Sequence, residues 1–379
     1  MINKFRIRPS AILLGISLAV GLACLPLWLE LQTRLANAWV WPTSSQPVTI
    51  ETPSPDPNPA NFTSSISVND ILDWSRELLQ SRIQQLPQDQ TTRIILTGDV
   101  MFGRAVAYNM HRKNDFTYPL AKVGARLKQA DLAMVNLEAP IFAGCPLNTE
   151  GMLLCADAQA FSALNFAGID IVQLANNHAL DYGPQALDYT KKWALAQEID
   201  SIGLGQAAIK QVRATKFGFL AYSQFAAQKG LISPASPELI TQDLRELKNE
   251  AEVAIVGFHW GQEYQSHPTA VQISLAHAAI DAGADVVFGH HPHWVQGIEI
   301  YQGKPIFYSL GNFVFDQMES KQTREGIAVQ LDYWKNNLIE ARVLPIYMED
   351  FAQPDWQPVG IGNATIGKVE RLSEELIIP

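Results

Sequence analysis

The sequence predicts an α/β fold with a substantially parallel sheet. Short apolar runs recur along the chain, and each ends at a polar residue able to do chemistry. Stretches with helical spacing lie between the runs, as strand-helix-strand units require. The polar residues repeatedly follow the carboxyl end of a run, the edge at which open α/β sheets bind ligands.

The chain has 379 residues and a formal net charge of −10. That length allows one large or two modest domains. The charge argues against a nucleic-acid binder, which needs a basic face. It leaves room for a protein that holds a polyanion through a metal. Lys4, Arg6 and Arg8 precede an uncharged, mostly apolar run from Ala11 to Leu29. Those 19 residues approach the ~20 needed to span a bilayer, so residues 1–40 read as a signal anchor. The basic residues would stay inside and export the remainder, making a single-pass protein with an extracytoplasmic carboxyl-terminal part. Ala36-Asn37-Ala38 offers the alternative of a cleaved signal and a secreted form. Residues 41–68 are rich in Pro, Ser and Thr, as in Thr52-Pro53-Ser54-Pro55, and read as an extended linker. Residues 69–90 read as an amphipathic helix, with Ile71, Leu72, Leu78, Leu79 and Ile83 at near-helical spacing.

The main domain is expected over 91–360, with a tail over 361–379. Ile94–Leu96 runs into Asp99, Leu132–Val135 into Asn136 and Glu138, and Ile169–Val172 towards Asn177-His178. Val253–Val256 leads to His259, and Asp285–Phe288 to Gly289-His290-His291-Pro292-His293. Pro305–Tyr308 leads to Asn312. Helices are expected over Pro184–Gln197 and Ala270–Ala282, and a hairpin over Gly326–Met348 turning at Lys335-Asn336-Asn337. Cys145 and Cys155 flank a polar stretch and are expected to form a disulfide outside the cytoplasm.

Three imidazoles within four positions suit a metal-binding loop, against the alternative of a solvated turn. Asp99 and Glu138 offer hard oxygen, Asn177 an amide oxygen, and His259, His291 and His293 nitrogen. Such a mixed set suits divalent Mn, Fe or Zn. With two ions about 4 Å apart, Glu138 is the nominee to bridge them. His178 is a candidate general acid or oxyanion partner, oriented by Asp181, and Arg104 a candidate for holding an anionic oxygen or, as readily, for an ion pair. Asn136, Glu263, His290 and Asn312 are further candidates; His111, His267 and His277 lie outside the motifs.

Thr97–Arg104, Asn136-Leu137-Glu138, Asn176–Gly183, His259–Tyr264, the Gly289–His293 stretch and Ser309–Asp316 together resemble the signature set of the poly-γ-glutamate capsule biosynthesis family (CapA type). The resemblance covers roughly residues 92–316. It implies a four-layer αββα sandwich of the calcineurin-like metallophosphoesterase type with a two-metal centre. It also implies work on poly-γ-glutamate or another anionic envelope polymer, or on a phosphoester, beside membrane-bound synthase subunits. One departure stands out. The superfamily's Asp-x-His reads Asp99-Val100-Met101 here, and a thioether is a poor ligand for a hard ion, so one metal is expected to be held weakly. Two functions follow: a metal-dependent hydrolase, or a non-catalytic polymer-binding assembly factor on the same scaffold.

Overall fold

A computed structural model describes residues 67–72, 86–225, 230–358 and 360–376. The chain divides into Met1–Asp56, outside the described residues, and Pro57–Pro379, which holds everything below. The expected signal anchor therefore lies outside the described residues, as do most of the linker and residues 73–85 of the expected amphipathic helix; Val68–Leu72 is helical, while Gln88–Gln90 forms a 3-10 turn where that helix is expected to end. Among the described residues no helix is long and apolar enough to cross a membrane.

Among the described residues fourteen strands build two sheets. The first contains β1 (Thr91–Val100), β2 (Leu132–Leu137), β3 (Ile171–Gln173) and β4 (Asp200–Ile202), paired parallel in that order. The second contains β5 (Ala208–Val212), β6 (Thr215–Ser223), β7 (Val253–His259), β8 (Val286–His290), β9 (Ile298–Tyr301) and β10 (Lys304–Phe307), in the order β5-β6-β7-β8-β10-β9. The first sheet also takes β11 (Asn312–Val314), parallel to β1, and an antiparallel extension of β12 (Glu325–Trp334), β13 (Asn337–Glu349) and β14 (Gln353–Trp356). The expected hairpin is β12–β13, with Trp334 opposite Asn337, and it extends the sheet through β1.

Strand alternation explains why the sheets stack. Phe217, Phe219, Val253, Ile255, Val286 and Phe288 join one core with Ile94, Ile95, Val329 and Leu331 of the first sheet. On the same strands Leu220, Tyr222, Ala254, Val256 and Val287 join a second core with the helices Pro237–Leu247 and Ala270–Asp281. Successive strand residues face opposite ways, so one sheet is sealed on both sides. Phe217 meets Tyr333 edge-on at 5.2 Å between ring centroids, bridging the two sheets. The molecule is a mixed α/β sandwich. The helix expected at Pro184–Gln197 spans Gly183–Ala196, and residues read as a tail include the helix Asn363–Glu374, which buries Ile366, Val369 and Leu372.

Gly98 lets the site form. A Cβ there would sit 2.0 Å from the Gly311 carbonyl oxygen. With hydrogen alone at that position, β11 lies close against the end of β1, and the Asp99 amide donates to the Gly311 carbonyl at 3.0 Å. The register then sets Asp99 beside both Asn136 and Asn312.

Candidate metal centre

Parallel pairing aligns the carboxyl ends of β1 with β2 and of β7 with β8, and the stacking of the two sheets brings these ends together with the residues that the sequence nominates. In register, His259 is the neighbour of His290, and Asp99 of Asn136. The loops beyond are stitched by backbone bonds: Glu138 donates to Val100 at 2.8 Å, Trp260 to His290 at 3.1 Å and Tyr264 to Pro292 at 2.9 Å.

Two groups of donors result. Asp99, Glu138 and His293 each present a ligand atom within 4.8 Å of the others, and so do Glu138, His259 and His291. All are buried. Glu138 is common to both, the position expected of a bridging carboxylate. Its Oε1 lies 3.8 Å from His259 Nε2 and 3.9 Å from His293 Nε2, and it has no hydrogen-bond partner. His291 Nδ1 and both ring nitrogens of His290 are buried and equally without hydrogen bonds. Buried polar atoms are almost always paired, so this many orphans in one place calls for a partner that the protein does not supply. A cation meets that need, and oxygen and imidazole donors together suit a divalent one.

Around this cluster, Asn136 Nδ2 donates to Asp99 at 2.9 Å, and Asn177 Oδ1 sits 2.7 Å from His259 Nε2. Asn312 Oδ1 lies 2.9 Å from His293 Nδ1. His290 Nδ1 lies 3.1 Å from Asp99 Oδ1, close in charge terms but not aligned for a hydrogen bond. His291 and His293 hold φ of 94° and 58°, a region that costs a non-glycine residue of order 1–3 kcal/mol. The packed surroundings impose it.

Electrostatics separate the members. Burial alone pushes the Asp99 carboxyl up, but His290 and His293 outweigh it and hold the group well below its usual range. Burial, then the Asp99 charge, pushes Glu138 well up. Burial and the neighbouring imidazoles lower His259 strongly, and bring His291 down to about 3. Against burial, Glu138 and Asp99 raise His293 to about 9. His259 and His291 are thus neutral, the state in which imidazole has a lone pair to give.

The candidates outside the cluster separate clearly. His178 Nδ1 and Asp181 Oδ2 are 2.7 Å apart, and Asp181 also accepts the Leu154 amide at 2.7 Å. Arg104 is an ion-pair residue: its guanidinium forks onto Asp316, and Nη1 donates to the Gly151 carbonyl at 3.2 Å. Of its two expected roles the ion pair is present, and the same guanidinium lines the cavity over the centre. Glu263 is exposed and belongs to neither donor group, although it lines the same cavity. The Met101 sulfur accepts the Gly103 amide at 2.8 Å and is committed to the turn. Sequence reasoning missed Asn176, which donates to the Leu137 carbonyl at 2.9 Å and ties the β2 end to the Asn177-His178 loop. It also missed Phe225, whose ring lies 4.3 Å from that of His291. The double amide at Asn176-Asn177 was the available signal for the first; the second had none.

A cavity of about 580 Å³ opens over the centre, lined by His178, His293, Arg104, Glu263, Tyr264 and Phe315 and by the segment Thr149–Met152. The expected disulfide is present: Cys145 and Cys155 are bonded and close the loop carrying that segment. Replacing both cysteines with serine is expected to raise hydrogen exchange across 146–154 by about tenfold, a local loss of roughly 1.4 kcal/mol, within what such a bridge contributes. Mass-spectrometric exchange checks it, with bound metal per chain unchanged.

Residues 93–317 match the family model described as bacterial capsule synthesis protein PGA_cap. The chain is 34% identical over 278 residues to the PGA biosynthesis protein CapA of Bacillus subtilis, covering 68% of this chain and 72% of that one. It is 30% identical over 288 residues to the capsule biosynthesis protein CapA of Bacillus anthracis, covering 69% of each. A solved structure described as a novel phosphatase of Mycoplasma pneumoniae aligns with a TM-score of 0.46 and 17% identity over 69% of this chain and 95% of that one; a likeness that weak bears no weight.

Proposed function

The chain belongs to the bacterial capsule synthesis family PGA_cap, and from that premise we propose that it is a membrane-anchored, metal-dependent hydrolase acting outside the cytoplasm on poly-γ-glutamate or a related envelope polymer. In this reading the sandwich is the four-layer metallophosphoesterase type, and membrane-bound synthase subunits are its neighbours. One observation carries the hydrolase: a buried carboxylate with an unpartnered oxygen, shared by two sets of metal-capable donors.

Asp99, Glu138 and His293 would hold one divalent ion, and Glu138, His259 and His291 the other, with Asn177 beside the second. When bound, such ions supply positive charge that acidifies a water and neutralises oxygens at the reacting centre. The protein does the rest. Asp181 fixes the His178 ring through Nδ1, leaving Nε2 to hold or hand over a proton in the cavity. Arg104, tied to Asp316, contributes a fixed polar wall. Burial of the cluster excludes bulk water, which strengthens every charge interaction in it.

His178→Ala is expected to cut turnover by about 10²–10⁴-fold with metal content unchanged, and Asp181→Asn by less, since the ring remains but loses its orientation. Steady-state rates beside metal analysis check both. The hydrolase reading itself is tested by metal per chain and hydrolysis of a generic phosphodiester with added Mn. Less than one ion per chain together with no turnover removes it. The assembly-factor reading would then stand, and Met101 favours it, because its sulfur is bonded to backbone where the superfamily offers an imidazole. The anchor is tested separately: membrane-fraction protein should keep its amino-terminal residues, and a mature start near Trp39 would sink it.

A further inference from the structure

A second cavity, of about 470 Å³, lies between the first sheet and the helix Gly124–Leu127, lined among others by Arg93, Lys122, Arg126, Gln330, Arg342 and Trp356. Arg93 precedes Asp99 by six positions on β1, roughly 20 Å along the strand, so this cavity is well away from the metal centre. Four cationic side chains converge there in a chain of net charge −10. Two are anchored from below: Arg93 grips buried Asp332 at 2.7 and 3.1 Å, and Arg342 Nε donates to buried Glu340 at 2.9 Å. That leaves Arg342 Nη2 buried with no hydrogen-bond partner, and the indole Nε1 of Trp356 is in the same position. The Arg126 guanidinium lies 5.3 Å from the centre of the Trp356 ring. Lys122 is shared between Glu349 at 3.5 Å and Asp355 at 3.3 Å, both well exposed, an arrangement that exchanges easily for another anion.

Two unpaired donors, on an arginine and an indole that line one cavity, suit a carboxylate: its oxygens would accept from them, and an aliphatic stem would pack on the indole. We propose that this cavity is a second substrate site, which seats a carboxylate-bearing segment of the polymer at a distance from the metal centre. The identity of the ligand rests on the polymer reading above; the site rests on the unpaired donors.

The test is calorimetric titration of the full chain, in chelator, with an oligomer of γ-linked glutamate, beside an inorganic phosphate arm. Wild type should bind the oligomer. Lys122→Gln with Arg126→Gln should weaken it by tenfold or more, and Trp356→Phe, which keeps the ring and drops the donor, by about threefold. Glu138→Gln should leave it unchanged. Undiminished binding in both cavity variants, each shown folded by its melting curve, overturns the proposal. So does phosphate displacing the oligomer at equal concentration, which would reveal a small-oxyanion site instead. If the double variant melts early, Trp356→Phe decides. Less than one ion per chain together with no phosphodiester turnover in wild type would sink the hydrolase and leave this binding intact; loss of this site would leave that turnover intact.

Discussion

Glu138→Gln should empty the metal centre. Glu138 is the one residue common to both donor groups, so its loss removes a ligand from each ion at once. An amide is a neutral, far poorer ligand for a divalent cation than a carboxylate. Metal analysis is expected to fall from two ions per chain to less than one, and phosphodiester hydrolysis by at least about 10³-fold. The fold should survive. Burial and Asp99 push the Glu138 carboxyl up in the ion-free protein, so glutamine closely matches its protonated form. The melting temperature of the ion-free variant should therefore stay near that of ion-free wild type. His291→Ala touches only one group and should remove about one ion. Equal metal content in Glu138→Gln and wild type would show that this carboxylate bridges nothing.

Gly98→Ala should have the largest effect on stability. The added methyl meets a backbone oxygen at 2.0 Å, and backbone cannot rotate aside as a side-chain tip can. β11 would have to leave β1, taking with it the Asp99–Gly311 hydrogen bond and the register that sets Asn312 beside Asp99. The expected cost is about 3 kcal/mol or more, a fall of roughly 10 °C in melting temperature, read by calorimetry. Metal should be lost as well, since His293 leans on Asn312. An unchanged melting temperature would mean that the two strands separate freely.

The centre was largely legible in the sequence because its residues follow apolar runs at strand ends, where parallel pairing collects them. Asp99, Glu138, His259, His291 and His293 each sit three to five positions past a run that reads as a strand without any partner in view. His178 and Asp181 were legible for a local reason, being three positions apart. Other features depend on distant partners. The role of Arg104 is set by Asp316, 212 positions on, and its attachment to that carboxylate cannot be read from either motif alone. The basic cavity draws Arg93, Arg126, Arg342 and Trp356 from separate elements, so no short window contains its pattern. Strands of three or four residues, such as β4, β9, β11 and β14, carry too little periodicity to stand out from loops. β11 exists because Gly98 and Gly311 touch, a fact of packing and not of propensity.

The loop between Cys145 and Cys155 has one more implication. Its wall of the cavity is written by the surroundings as much as by the gene: a newly made chain among reducing thiols would have a slack rim, and only oxidation would draw it taut. Ions could load early, yet a long polymer would be gripped late. On the proposal of an exported hydrolase, the protein would in effect stay quiet until it had left the compartment that made it.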